Sequence, residues 1–503
     1  MEERSDQQQI RLDKLKKLRE LGVEPYPYRF RPTHRVEDLL AQAEPLLESA
    51  TPVSVAGRLM ASREMGKAAF AHFKDNHHRM QCYVRQDTVS AADWEIFGLC
   101  DLGDYVGLHG TLMRTKTGEL TVRVERLELL SKALRPLPVP KVAMVDGKEV
   151  VHQEVRDVEF RYRQRYADLA LNDEVARVFL NRTRIIQSVR AYLVAQGYLE
   201  VETPILQPIY GGAAAMPFTT HHKALDLTLY LRIATELYLK RLVAGGFDRV
   251  FEIGKDFRNE GIDRSHNPEF TMVEFYEAYA DYHDMMDRFE AIWEQAALAV
   301  HGDTRFTFQE HTLDVKRPWK RLTMAQALKD LGGVDFAALD DAAVKARLKQ
   351  HDLELEGDFN RGLAMAALFE ALCEPKLIQP TFIIDFPKET TPLCKAHRSD
   401  PQLVERFEPY IAGWEVGNAY SELNDPVLQK ALFEEQVARR HGGHLETHPF
   451  DGDFLRAMEY GMPPMGGVGI GIDRMAMLLL NQPNIRDVLF FPTLRPESHG
   501  ESD

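Results

Sequence analysis

The sequence predicts an α+β protein in two unequal parts, a small β-barrel followed by a long domain of mixed helix and strand. Three observations carry this. Short alternating strands with glycines between them crowd residues 53–130, Pro136, Pro138 and Pro140 then mark a boundary, and strong helical spacing alternates with extended segments from Arg161 onward. At 503 residues the chain is too long for one core. Its 44% apolar and 28% charged residues are those of a globular protein.

The first element is an amphipathic helix over residues 10–21, with Leu12, Leu15 and Leu18 on one stripe and Arg11, Lys14, Lys16, Lys17 and Arg19 between them. Such a helix either presents a solvated face or lies along a phosphate backbone. Five short strands, interrupted by a helical piece near residues 91–99, make residues 51–140 a closed or partly open barrel of the OB type. Barrels of this type bind single-stranded nucleic acid on an aromatic platform. Phe70 and Phe73 are the candidates for that platform, and Arg63, Gln81 and Glu119 for contacts to base edges. The plainer alternative is a barrel that only packs against the rest. The charged stretch 142–158 reads as a linker or surface insertion. Residues 175–196 form a helix ending at Gly197, which leads into YLEVETPIL. Pro204 cannot donate to a ladder and belongs at an edge or interface. Residues 300–385 read as an insertion of short helices.

Bulk properties narrow the function. No apolar run is long enough to span a bilayer, and MEERSDQQQI lacks the apolar core of a secretory signal, so a cytoplasmic protein is expected. A net charge of −15 argues against indiscriminate binding to nucleic acid but permits a local basic face. Cys82, Cys100, Cys373 and Cys394 have no C-x-x-C spacing, which makes structural zinc or a disulfide framework unexpected.

Three segments carry the chemistry. Residues 251–282 read as two strands joined by a polar loop containing Gly261. Arg258 and Glu260 are two apart on the first strand, and Glu274 and Tyr276 on the second, with Phe270 in phase, so these faces meet over one pocket. In residues 406–426, Asn418, Tyr420 and Glu422 alternate along one face, and Glu408 and Glu415 lie on neighbouring extended pieces. Two converging carboxylates repel unless a cation sits between them, and magnesium bridging them to a polyphosphate is the natural occupant. In residues 461–480 a glycine-rich strand turns into a helix with Arg474 in its first turn, aimed at a terminal phosphate. Neither G-x-x-x-x-G-K-[ST] nor G-x-G-x-x-G occurs in these segments. Each segment alone admits a bland reading, as a solvated hairpin, two exposed glutamates or a glycine turn; their sum points to a site.

The same residues carry a family resemblance. FRNEG…HNPEFT…EFY, EVGNAYSELND and GIGIDR together resemble the class II aminoacyl-tRNA synthetases, and the match is closest to the bacterial lysyl branch, class IIb. MGKAAFAH, RTKTGEL, RYRQRYADL, EVETPIL, GGAAAMPF and LRIATELYLKRL extend it over almost the whole chain. The resemblance implies an OB-fold anticodon-binding domain at 51–140 after a basic lead-in at 1–50 and before a linker at 141–160. Residues 161–503 would form a catalytic domain on an antiparallel sheet flanked by helices. It implies ATP-dependent attachment of L-lysine to tRNA(Lys) through a lysyl-adenylate, by a homodimer that needs Mg2+. Arg258 would hold the α-phosphate and the amino-acid carboxylate, Phe270 would stack on adenine, and Glu260 and Asn267 would lie near the nucleotide. His266 would sit near the outer phosphates, Glu408 and Glu415 would bind Mg2+, and Arg474 would clamp the γ-phosphate. Glu236 and the backbone at Gly212 would take the α-ammonium, while Glu274, Tyr276, Asn418, Tyr420 and Glu422 line the side-chain pocket.

A buried ε-ammonium needs compensating acids, which favours lysine over aspartate or asparagine. A paralogue that activates lysine but modifies a protein is the main rival; such relatives lack the barrel. A non-catalytic RNA-binding protein of the same fold is another, against which the retained Arg258, Glu408, Glu415 and Arg474 speak. Four departures from the family pattern stand out: Met216 where a basic residue is usual, Ser265 before His266, NHHRM with exposed histidines in place of a glycine turn, and the long 142–158 stretch.

Overall fold

The computed structural model describes residues 5–138, 141–145, 148–152, 157–355, 357–441 and 449–496. The chain divides into two compact units, Met1–Ala176 and Arg177–Asp503. The division falls after the expected linker, so the short helices Val158–Arg163 and Arg165–Leu171 lie in the first unit.

Alternation along five strands builds the first unit. β1 (Val53–Met65), β2 (Ala68–Asp75), β3 (His78–Arg85), β4 (Tyr105–Arg114) and β5 (Leu120–Ser131) close into a barrel in the order β1-β2-β3-β5-β4. Ala69, Ala71 and Phe73 of β2 and Met80, Cys82 and Val84 of β3 fill its interior, and the alternate residues face outward. Helix Ala91–Leu99, capped by Ser90, lies between β3 and β4 as expected. The turn into β3 places Asn76 at φ +55°, a left-handed value that asparagine tolerates. His77 and His78 are half-buried, not exposed as expected.

Helix Asp6–Glu20 starts at a Ser5 capping box. Its cations are largely committed within the unit. Arg11 donates to the carbonyls of Ala133 and Leu102, Lys14 pairs with Asp101 and Lys17 with Glu95. These contacts tie the helix to the rest of the unit. Within the charged stretch, β6 (Lys141–Val145) and β7 (Lys148–His152) pair as a hairpin; residues 146–147 and 153–156 lie outside the described residues.

Helix Asp173–Ala195 leads across into the second unit and stops at Gly197, whose φ of +83° suits glycine. After it come β8 (Leu199–Glu200), β9 (Leu206–Gln207), β10 (Thr219–His222), β11 (Leu227–Leu231), β12 (Arg249–Phe257) and β13 (Glu269–Ala278). β14 (Arg305–Phe308) and β15 (His311–Asp314) form a hairpin. β16 (Lys320–Thr323), β17 (Thr381–Pro387), β18 (Leu403–Ile411), β19 (Trp414–Glu415), β20 (Gly417–Ser421) and β21 (Met465–Gly471) complete the set. The large sheet runs β16-β17-β18-β20-β21-β13-β12-β8, with β19 on β18. Its pairings are antiparallel except β16–β17 and β12–β8.

Residues 300–385 are thus not helices alone. The helices Met324–Asp330, Asp341–Gln350 and Arg361–Leu372 are strung between β16 and β17, both of which belong to the sheet. Short strands with few alternations give a weak periodic signal, which is why the sequence hides them. Pro204 is exposed just past β8, the last strand of the sheet, in keeping with an edge position. One face of the sheet buries Val273, Phe275, Phe407, Ala419, Val468 and Ile470 against Phe289 and Trp293 of helix Tyr282–His301. The opposite face is left for the site.

Candidate active site

Strand alternation alone selects the residues of this face. One step out of phase with the core come Phe270, Met272, Glu274 and Tyr276 on β13, Arg406 and Glu408 on β18, and Asn418 and Tyr420 on β20. They line a cavity of about 430 Å³, a volume typical of small-ligand sites. Gly467, Gly469 and Gly471 of β21 supply its floor, and a Cβ at Gly467 would overlap the Glu422 carboxylate and the Tyr276 ring. Gly212, at φ +86°, lies against Ala234 and Glu236 at the wall.

One end is acidic and closed. Glu422 is 1% exposed and Glu236 4%. Tyr420 donates its hydroxyl hydrogen to Glu236 at 3.0 Å, and Tyr276 donates to Glu274 at 3.3 Å. Burial pushes the Glu274 carboxyl up to about 8, with the charges of Asp256 and Glu236 adding to it. Asp256, behind it on β12, rises to about 7 through burial, opposed by Arg232 and Arg258. Burial also raises Glu422 well above the carboxylate range, and Lys240 opposes that rise through an ion pair.

The other end suits anions. The Arg258 guanidinium lies 5.1 Å from the centre of the Phe270 ring, and its buried Nε has no hydrogen-bond partner among the described residues. Arg474, on helix Ile472–Leu479, donates to the Glu415 carbonyl at 2.6 Å and approaches His266 Nε2 at 3.4 Å. Glu408 accepts from Arg406 and, at 2.6 Å, from the Tyr410 hydroxyl. Burial and the neighbouring Glu408 push the Glu415 carboxyl up to about 7, with Arg474 pulling it down. A cation between the two acids would relieve this, so the pair fits a divalent metal. Among the described residues no group of three or more His, Cys, Asp or Glu is arranged to hold a metal by itself.

Two placements differ from expectation, the Arg258 and Glu260 pair and Phe73. Arg258 and Glu260 do not alternate on a strand: β12 ends at Phe257, and both stand in the long loop before β13, where the polar run has no ladder partner. Arg258 is held there by its backbone N–H donating to the Pro268 carbonyl, while Glu260 sits exposed on the rim. Asn267 lines the cavity, and its amide donates to the Glu269 carbonyl and accepts from the Thr493 N–H. In the barrel, Phe73 is fully buried in the core, since it stands an odd number of residues from Phe70.

The outer barrel face keeps the other candidates together. Phe70 packs its ring 4.6 Å from that of Tyr83, and Arg63 is the cross-strand partner of Phe70. Gln81 donates to Glu119 at 2.8 Å, and the His72 ring meets the same carboxylate at 3.0 Å. Tyr83 and His72 went unnoticed in the sequence, although two-residue spacing from Gln81 and Phe70 points to both. Arg406 was likewise missed, two residues before Glu408, as was Lys240, one helical turn after Glu236. Met216 is 40% exposed and accepts the Asn259 N–H on its carbonyl. Ser265 lines the cavity.

An antiparallel sheet with arginines and carboxylates over a closed acidic pocket, together with a separate nucleic-acid-type barrel, defines a class that known families share. The family model for class II tRNA synthetases (D, K and N) matches residues 157–495, and that for the OB-fold nucleic acid binding domain of the anticodon type matches residues 53–130. The chain belongs to the class II tRNA synthetases of this D, K and N group. It is 49% identical to the lysine–tRNA ligase of Moorella thermoacetica over 99% of each chain. It is 48% identical to that of Carboxydothermus hydrogenoformans over 97% of each, and 47% identical to that of Bacillus subtilis over 98% of each. Among the described residues no helix is long and apolar enough to cross a membrane.

Proposed function

We propose that this protein attaches L-lysine to tRNA(Lys) at the expense of ATP, through a lysyl-adenylate, and releases AMP and pyrophosphate. The observation that carries this reading is the closed acidic end formed by Glu236, Glu274 and Glu422 beside the arginine-lined end at Arg258 and Arg474. The near-full-length likeness to lysine–tRNA ligases supports it. An aspartate side chain would meet repulsion where an ammonium is neutralised, and the uncharged amide of asparagine would leave the buried acids without a cation, so both fit this pocket poorly.

In this reading Glu236 and the Gly212 backbone receive the α-ammonium, and Glu422 and Tyr276 the ε-ammonium, so the lysine carboxylate points toward Arg258. The adenine stacks on Phe270, with Glu260 and Asn267 beside the nucleotide and His266 and Arg474 on the outer phosphates. The carboxylate oxygen attacks the α-phosphorus in line and pyrophosphate leaves. The terminal ribose hydroxyl of the tRNA then attacks the activated carbonyl, and AMP leaves. No nucleophile of the chain is consumed, and rate enhancement comes from positioning and from the fixed charge of Arg258. Glu408 and Glu415 would hold Mg2+, which when bound neutralises phosphate charge.

Phe70 would carry an anticodon base by stacking, with Tyr83 behind it, and Arg63, Gln81 and Glu119 would read base edges. A homodimer agrees with the exposed apolar side chains of Leu199, Ile205, Leu206, Leu225 and Leu227 around the edge strand and the small β9–β11 sheet. A cytoplasmic location follows from the substrates. The deciding experiment is pyrophosphate exchange with each of the twenty amino acids in turn. Lysine is the expected strong substrate, and strong exchange with another amino acid instead would end this reading.

A further inference from the structure

Lys240 is buried to 1% exposure inside the acidic end, on helix Glu236–Ala244, one turn after Glu236. Its ammonium pairs with both Glu236 and Glu422 and lies 5.9 Å from the ring centre of Tyr276 and 5.4 Å from that of Tyr420. Glu236 keeps its second oxygen for the Tyr420 hydroxyl. Glu422, at the cavity wall, keeps Oε1 without a hydrogen-bond partner among the described residues. The chain thus carries a lysine side chain where the proposed substrate is to be recognised.

We propose that Lys240 is a positioning residue that sets amino-acid specificity, engaging one oxygen of each acid so that Glu422 Oε1 is left for the substrate, and opposing proton uptake by the acid pair so that a dibasic substrate can occupy it. This rests on the reading of the cavity as a lysine site. Charge counting supports it. Two acidic side chains, Glu236 and Glu422, against the one cation of Lys240 leave a formal surplus of one acid, which matches the net single positive charge of lysine, two ammoniums and one carboxylate. Without Lys240 two bare carboxylates would face each other in a closed site, and one would take up a proton that lysine must then displace. Lys240 therefore turns a proton trap into a slot for one cation. Burial alone would depress the Lys240 ammonium, yet Glu236 and Glu422 hold it above the ordinary lysine value, so it stays charged. The other groups facing this cluster are Glu274 and Tyr276 of β13, Asp256 of β12 behind Glu274, Tyr420 of β20, Cys394 after β17, and Arg406 of β18.

The test is Lys240→Met, which keeps length and removes charge, in lysine-dependent pyrophosphate exchange followed from about pH 6.5 to about pH 9. The expected result is a KM for lysine raised about tenfold or more near neutrality, with the gap to wild type closing as pH rises and the second carboxyl ionises. The KM for ATP should stay near the wild-type value. An unchanged lysine KM, or a rise of the same size at every pH, overturns the proposal, because a packing role would not follow pH. Should Lys240→Met fail to fold in a thermal melt, the double variant Lys240→Met, Glu422→Gln removes an acid with its cation. Folding of the double variant then supports charge compensation, and its failure overturns it. Wild-type enzyme in the same assay separates the two levels: if it activates an amino acid other than lysine, the functional reading fails, whereas lysine activity with a pH-independent variant sinks only the role of Lys240.

Discussion

At the scale of single residues, Arg258 is the clearest case of a side chain shaped for something outside the chain. Its buried Nε has no partner among the described residues, and an orphaned buried donor costs about 1–3 kcal/mol. A phosphate or carboxylate oxygen would recover that cost. Arg258→Ala is therefore expected to slow adenylate formation at least about a hundredfold, as deletion of one preorganised charge-stabilising donor does. Lysine-dependent pyrophosphate exchange measures it, and near-normal turnover would refute the role. Asn267 shows the opposite logic. Its amide is spent on Glu269 and Thr493, so it holds the loop that carries Arg258. The sequence offered both as polar residues in one run, and only their partners tell them apart.

At the scale of elements, β21 makes the pocket by omission. Its core-facing positions are Val468 and Ile470, while glycines occupy the face toward the cavity. Gly467→Ala would push a methyl into the Glu422 carboxylate and the Tyr276 ring. Overpacking of this kind costs about 1–3 kcal/mol, so the lysine KM should rise roughly tenfold or more, as steady-state exchange kinetics can establish. β2 and β3 of the barrel work through exposure in the same way. Phe70 is half-buried against Tyr83, and part of its ring stays accessible. Since base stacking is worth about 1–3 kcal/mol, Phe70→Ala should raise the KM for tRNA about ten- to a hundredfold. Charging assays over a range of tRNA concentrations would reveal this, with lysine-dependent exchange retained. A tRNA KM within a factor of about two would remove the anticodon role.

At the scale of the whole molecule, the site is a concentration of burdened acids. Burial and mutual repulsion raise Glu274 to about 8 and Asp256 and Glu415 to about 7, each above its unfolded value. A carboxyl whose folded value is raised binds more protons folded than unfolded, so its contribution is complete at low pH and is lost as pH climbs through the raised value. The carboxylates held low by partners, such as Glu277 and Glu405, have already given their full contribution by neutral pH. The unliganded protein should therefore lose thermal stability from about pH 6 to about pH 8.5, and lysine with Mg2+ and ATP should offset more of that loss at the alkaline end. Thermal melts with and without ligands decide this; a flat or rising melting temperature over that window would contradict it.

The sequence by itself determined the barrel, its interrupting helix, the two long strands that frame the pocket and most of the charged and aromatic side chains on the cavity wall. Period-two spacing is local and survives in one dimension, which is why Glu274, Tyr276, Asn418 and Tyr420 were legible as one face. The tertiary structure alone decided what pairs with what. It assigned Arg258 to a loop, turned Phe73 into the barrel core, tied Arg406 to Glu408, and set Lys240 between two acids that lie on different elements. The pair of Lys240 with Glu422 joins residues far apart in the chain, and no spacing rule encodes it. The chemistry was therefore written along the chain, while the balance of charge that makes it selective exists only once the chain has folded.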